Sequence, residues 1–182
     1  MNDALLLLAG IAGGGVISYY VTRNFIHRPK LGFNLRPAAL LHRHDFGNAL
    51  AMTLRGRAVD NLGVFTLEIS LRGRSDISKD DIPDDKKPSL TFPSFRAFDV
   101  RTLNNDESRF EIPLGIAAGG NLIIININHL RSNSKAIFQI IGTFEGDAPQ
   151  LNTYQTEFFP GVIHNVDVET SGNIQRPWKT ER

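Results

Sequence analysis

Residues Val64–Arg72, VFTLEISLR, set Phe65, Leu67, Ile69 and Leu71 at alternate positions, with Thr66, Glu68, Ser70 and Arg72 between them. Successive side chains of a strand point to opposite faces, so this period of two builds a strand with one apolar and one wet face. A strand wet on one side belongs in an antiparallel sheet, because parallel sheets are covered on both faces. The stretch therefore predicts a mainly β domain.

Outward from it, the same short alternating segments recur. Toward the C-terminus they are Ser89–Phe92, Phe95–Leu103, Arg109–Leu114, Asn121–Leu130, Lys135–Phe144, Tyr154–Phe159 and Val162–Val168. Toward the N-terminus they are Gly32–Arg36 and Ala49–Val59, with Gly56 marking a bulge or turn. Gly, Asn, Asp or Pro separates them, and no amphipathic helix lies between, which argues against βαβ units. The expected architecture is an antiparallel β-sandwich over residues 31–170, immunoglobulin-like or jelly-roll-like. The chain has no cysteine, and Trp178 lies in the tail, so an inter-sheet disulfide packed on a tryptophan is excluded. Residues 171–182, SGNIQRPWKTER, lack periodicity and read as a loose polar terminus.

The pattern breaks at the other extreme of the chain. From Ala4 to Thr22 there is no charged side chain. At ~1.5 Å per residue these nineteen positions reach ~28 Å, close to the ~30 Å of a bilayer hydrocarbon core. Residues 4–22 are thus expected to form one transmembrane helix after a short end at 1–3. Tyr19 and Tyr20 fall where interfacial aromatics belong, and the segment 23–30 brings Arg23, Arg28 and Lys30. Met1-Asn2-Asp3 supplies no basic n-region, so an uncleaved signal-anchor is expected rather than a signal peptide. Basic residues after the helix favour a cytoplasmic domain in a single-pass protein of the inner or plasma membrane. Gly10 and Gly14 stand four apart on one helix face, a spacing that permits helix packing and homo-oligomers.

Composition excludes more than it identifies. Lys plus Arg number 20 and Asp plus Glu 19, a formal net charge of +1, which is not the field of a nucleic-acid binder. Without cysteine there is no thiolate zinc site and no cysteine nucleophile. No G-x-S-x-G elbow, H-E-x-x-H helix, P-loop or dinucleotide fingerprint occurs.

Three clusters remain. Asp76, Asp80, Asp81, Asp84 and Asp85 crowd one segment, but their spacing fits no calcium loop and Lys79, Lys86 and Lys87 offset them, so they read as a solvated connection. His42 and His44 flank Arg43 and are two imidazoles short of a third ligand; with Arg36 they are expected to join Arg23, Arg28 and Lys30 at the lipid surface. Asn126 and Asn128 share one face of an otherwise apolar segment, and either line a polar ligand pocket or mark where the strand leaves the sheet.

These readings lead to a non-enzymatic, membrane-anchored interaction module whose partners are the bilayer and a protein, with no cofactor, metal or nucleic acid. The other reading is a small-ligand sensor that holds its ligand near Asn126 and Asn128 and signals through helix oligomerisation.

Overall fold

The computed structural model describes residues 28–42, 53–54, 56–59, 61–104, 108–144, 156–161, 163, 166–172 and 174–175. The domain is mainly β, with several antiparallel sheets. The first layer contains β1 (Lys30–His42), β4 (Asn61–Arg72), β7 (Phe95–Thr102), β12 (Ser134–Phe144) and β14 (Asp167–Gly172), in the order β14-β1-β4-β12-β7. The β1–β4, β4–β12 and β12–β7 pairs are antiparallel, whereas β14 runs parallel to β1 along the edge.

The second layer is built from shorter pieces. One sheet contains β6 (Ser89–Thr91), β9 (Leu114–Ile116), β10 (Leu122–Ile125), β13 (Thr156–Phe159) and β15 (Ile174–Gln175), in the order β15-β13-β6-β10-β9. Another contains β5 (Ile77–Ser78), β8 (Phe110–Glu111) and β11 (His129–Leu130), in the order β5-β11-β8. Backbone hydrogen bonds prolong the ladders into the gap between the two, from Ile125 N to Pro88 O at 2.9 Å, Asn126 N to Pro113 O at 3.1 Å and Asn128 N to Glu111 O at 2.9 Å. A separate hairpin joins β2 (Thr53–Leu54) to β3 (Arg57–Ala58) through Gly56, whose φ is +77°.

One core lies between the layers. Phe65, Leu67 and Ile69 are fully buried, as the period of two requires, and Leu31, Phe33 and Leu35 of β1 join them. Leu90, Ile123, Ile125 and Phe158 close the core from the second layer. Contact across it is direct, with the Phe33 and Phe158 rings 4.6 Å apart. A buried Phe or Leu contributes about 1.5–3 kcal/mol relative to exposure, so burial alone sustains a fold without disulfides.

The element ends depart from the sequence expectations in instructive ways. β1 runs well past Arg36 and through Pro37, with a register shift between Pro37 and Ala39. β14 pairs with β1 only as far as Leu35, so the proline stands at a bulge on an edge that is unpaired among the described residues, where a missing N–H is tolerated. Ala49–Val59 holds a tight hairpin, with Gly56 as its turn. Asn121–Leu130 breaks into β10 and β11, and Arg109–Leu114 divides at Pro113 into β8 and the start of β9. The acidic connection contains β5 and two 3-10 turns, Lys79–Asp81 and Asp84–Lys86. Strand pairing continues beyond residue 170 to Gln175, so the first part of the polar tail is strand.

Among the described residues no helix is long and apolar enough to cross a membrane. The expected span at 4–22 lies outside them, as do Gly10, Gly14, Tyr19, Tyr20 and Arg23.

Candidate functional site

The candidate site is the end of the domain at which the chain arrives from its N-terminal segment. β1 starts there at Lys30, β4 finishes there at Arg72, and β12 starts there at Ser134. Pro29 is buried at this corner, and its carbonyl accepts the Asp167 N–H at 2.9 Å.

Two turns meet beside Pro29. The first, after β4, is Gly73–Asp76. Gly73 has φ +137°, and a Cβ there would lie 2.8 Å from Pro29 Cα, so only glycine lets the turn close over the incoming chain. The second, before β12, is Arg131–Asn133. Asn133 occupies the left-handed region at φ 54°, which asparagine tolerates better than other residues with a side chain.

Side chains clamp these turns together. Asn133 Nδ2 donates to Gly73 O at 3.1 Å, and Gly73 N donates to Asn133 Oδ1 at 3.4 Å. Ser132 N donates to Asp76 Oδ1 at 2.7 Å. A charged acceptor makes the last bond the strongest of the three. Arg74 and Arg131 are exposed on the clamped turns, and Arg72 is exposed at the end of β4 just before the first of them. Among the described residues, no hydrogen bond or ion pair holds their guanidinium groups.

Lys30 differs from them. Its Nζ contacts Glu169 Oε1 at 2.8 Å. The hydrogen bond to Glu169, reinforced by the carboxylate's charge, raises the Lys30 pKa above its ordinary value. The same bond and the ammonium charge lower that of Glu169. Both groups are exposed, and this pair forms one side of an open cleft of about 180 Å³ on the outer face of the first layer. Asn34, Glu68, Ser70 and Arg72 also line it. The cleft therefore carries both signs of charge.

The other expected site residues are placed as follows. Arg28 is exposed just before Pro29. His42 closes β1, and at ~3.3 Å per residue the strand carries it roughly 40 Å from Lys30. His42 therefore does not join the basic cluster around Lys30, and Arg36 lies about halfway along; Arg43 and His44 fall outside the described residues. Continuity of β1 through Pro37 is the reason. The basic partners of Lys30 come instead from the distant turns at 72–74 and 131–133.

Asn126 and Asn128 lie at the break between β10 and β11. Asn126 Nδ2 donates to Pro113 O at 3.3 Å, and Asn128 Nδ2 donates to Glu111 Oε1 at 2.9 Å. Both amides face the matching break between β8 and β9, and neither lines the outer cleft. Among the described residues no buried side-chain nitrogen or oxygen lacks a partner.

Two aspartates of the connection have local roles. Asp81 Oδ2 accepts from Ser78 N at 2.8 Å and from Ser78 Oγ at 2.9 Å, and Asp84 meets Lys87 at 3.0 Å. Among the described residues no group of three or more His, Cys, Asp or Glu side chains is placed to hold a metal.

No protein-family model matches the chain, and no curated protein matches it. The arrangement of side chains is therefore what bears on function.

Proposed function

We propose that the chain is a non-enzymatic, single-pass membrane protein whose domain is a β-sandwich acting as an interaction module, with a protein partner on the cytoplasmic side. The sandwich reading is supported by two layers whose inner faces share one core. The antiparallel β1–β4 pair and the lack of interleaved α-helices among the described residues fit an immunoglobulin-like or a jelly-roll-like type.

The observation that carries the membrane reading is the short distance between the apolar segment and the first strand. Residues 23–29 alone separate Thr22 from the start of β1 at Lys30. Fully extended, they span at most ~25 Å. A domain tethered this closely works at the bilayer surface.

The sensor reading calls for an enclosed polar pocket around Asn126 and Asn128. Their amides are engaged by Pro113 and Glu111, and the cleft is open and lies elsewhere. These observations favour the interaction module.

The test is expression of the full chain with a C-terminal epitope. Resistance to alkaline carbonate extraction, loss of that resistance on deleting residues 4–22, and protection of the epitope from protease in intact cells are the expected results. Epitope digestion without lysis overturns the cytoplasmic orientation, and extraction of the full chain by carbonate overturns the anchor. Crosslinking in membranes followed by mass spectrometry then identifies the partner.

A further inference from the structure

The geometry points to a second attachment to the bilayer: Arg72, Arg74 and Arg131, held around Pro29 by the clamped turns, engage the headgroups of anionic phospholipids. This rests on the anchored reading above and goes beyond it, because it assigns the domain a face and an orientation on the membrane.

The first support is position. The N-terminal segment reaches the domain at Pro29, and the Gly73 turn packs directly on that residue. The described chain therefore begins at this end, beside both turns. With at most ~25 Å of chain between Thr22 and Lys30, a span finishing near Thr22 keeps this end of the domain within reach of the lipid.

The second support is charge. Arg28, Lys30 and Lys135 lie at the same end, with Glu68, Asp76, Asp167 and Glu169 as the nearby described carboxylates, and Lys135 meets Glu68 at 3.4 Å. Asp76 is engaged by the Ser132 N–H, and Lys30 is neutralised by Glu169. Among the described residues no hydrogen bond or ion pair engages the three guanidinium groups, and Arg72 alone faces a carboxylate, Glu169, across the cleft. A guanidinium presents a planar fork of donors that matches phosphate oxygens, and the headgroup layer of an anionic leaflet supplies them.

The third support is rigidity. Asn133 and Asp76 fix one turn against the other, so the backbones carrying the arginines are ordered before lipid is met. Little backbone freedom is then lost on docking. Each arginine near the surface is expected to raise the docked-to-undocked ratio about five-fold in a leaflet rich in anionic lipid.

The chain has no cysteine, so single labelling sites are readily made. The full chain carrying Ser75→Cys reports on this end, and the full chain carrying Ser94→Cys, just before β7, reports on the opposite end. Each is labelled with a fluorescent donor and reconstituted into vesicles holding a headgroup-labelled acceptor. One set is phosphatidylcholine alone, and the other includes about one third phosphatidylglycerol, giving the negative surface the arginines require.

The inference expects at least a two-fold rise in energy transfer from Ser75→Cys when phosphatidylglycerol is present, and little change from Ser94→Cys. The rise should disappear in R72Q/R74Q/R131Q, whose unchanged melting temperature shows that the fold is intact. Equal transfer in both lipids, with the chain still resistant to carbonate, overturns the inference and leaves the anchor standing. A rise that survives the triple substitution also overturns it. Release of the chain by carbonate overturns both readings.

Discussion

The two ends of the domain are built from different materials. At the end distant from Pro29, aromatic rings fill the core: Phe65 lies 5.0 Å from Phe95 and 5.6 Å from Phe92, and Phe95 lies 5.0 Å from Phe144. Gly63 and Gly142 stand opposite each other across β4 and β12, and their missing side chains give the Phe144 and Phe95 rings space over the sheet. At the Pro29 end, surface turns are joined by Asp76 and Asn133 and carry arginines. The contrast is one of materials: the far end fills its core with stacked rings, whereas the Pro29 end closes an aliphatic core of Leu31, Leu71, Ile77 and Leu130 under turns that present a fixed charged surface.

The largest effect expected from breaking this contrast is Phe65→Ala. A fully buried ring that touches three others leaves a cavity, and such truncations cost about 3–5 kcal/mol. Chemical denaturation of the detergent-solubilised chain should show that loss. Under conditions where the variant remains folded, the lipid-dependent transfer from Ser75→Cys should be unchanged. A loss below 1 kcal/mol would mean that the stacked rings contribute little to stability.

Gly142→Ala comes next. Its Cβ would strike Arg96 O and the Phe95 ring, and overpacking of this kind costs about 1–3 kcal/mol. Phe95→Leu in the same chain should recover part of the loss, because it removes the ring while the clash with Arg96 remains. Additive losses in the double variant would show that the glycine is not there for the ring.

The clamp should respond differently. Asn133→Ala loses two exposed hydrogen bonds and places an alanine in the left-handed region, for about 2 kcal/mol in all. Asn133→Gly loses the same bonds but no backbone comfort, and should cost about 1 kcal/mol. Both should reduce the lipid-dependent transfer, since the arginine-bearing turns would no longer be held together. Equal stability of the two variants, measured by thermal melting, would remove the left-handed backbone from the account.

How much of this was legible in the sequence follows from which forces are local. β4 was readable because its one-sided burial writes a period of two into Val64–Arg72. β14 was read only at Asp167 and Val168, the end of the Val162–Val168 segment: its half-buried positions alternate with exposed ones, but of these only Val168 is apolar, and the polar run from Ser171 concealed its end. Pro37 shortened the expected β1, because a proline signals a break unless the neighbouring strand is known to have ended. The clamp was invisible for another reason. Asp76 meets Ser132 across 56 positions and Asn133 meets Gly73 across 60, and no local pattern encodes such a meeting. Only the turn-forming character of Arg131-Ser132-Asn133 was available, without its partner.

The smallest expected effect concerns Lys30 and Glu169, the one ion pair at the arginine-bearing end that spans β1 and β14. Glu169 is held below its ordinary value of 4.5 by the Lys30 hydrogen bond and then by the ammonium charge. Its contribution to stability is therefore present above that ordinary value and fades as pH falls through the lower folded value. Lys30 is raised above its ordinary 10.5 by Glu169, so its share is complete below that value and is lost as pH rises through the higher folded one. Between these limits the pair should leave stability flat with pH. Carbon-13 NMR of the Glu169 carboxyl should give a midpoint below 4.5 that moves back toward it in Lys30→Met. Salt at about 0.5 M should produce part of the same movement, because the pair is exposed and screened. If neither change moves the midpoint, Lys30 is not neutralised by Glu169. It would then stand with Arg72, Arg74 and Arg131 as a fourth uncompensated cation, and Lys30→Met would itself lower the lipid-dependent transfer.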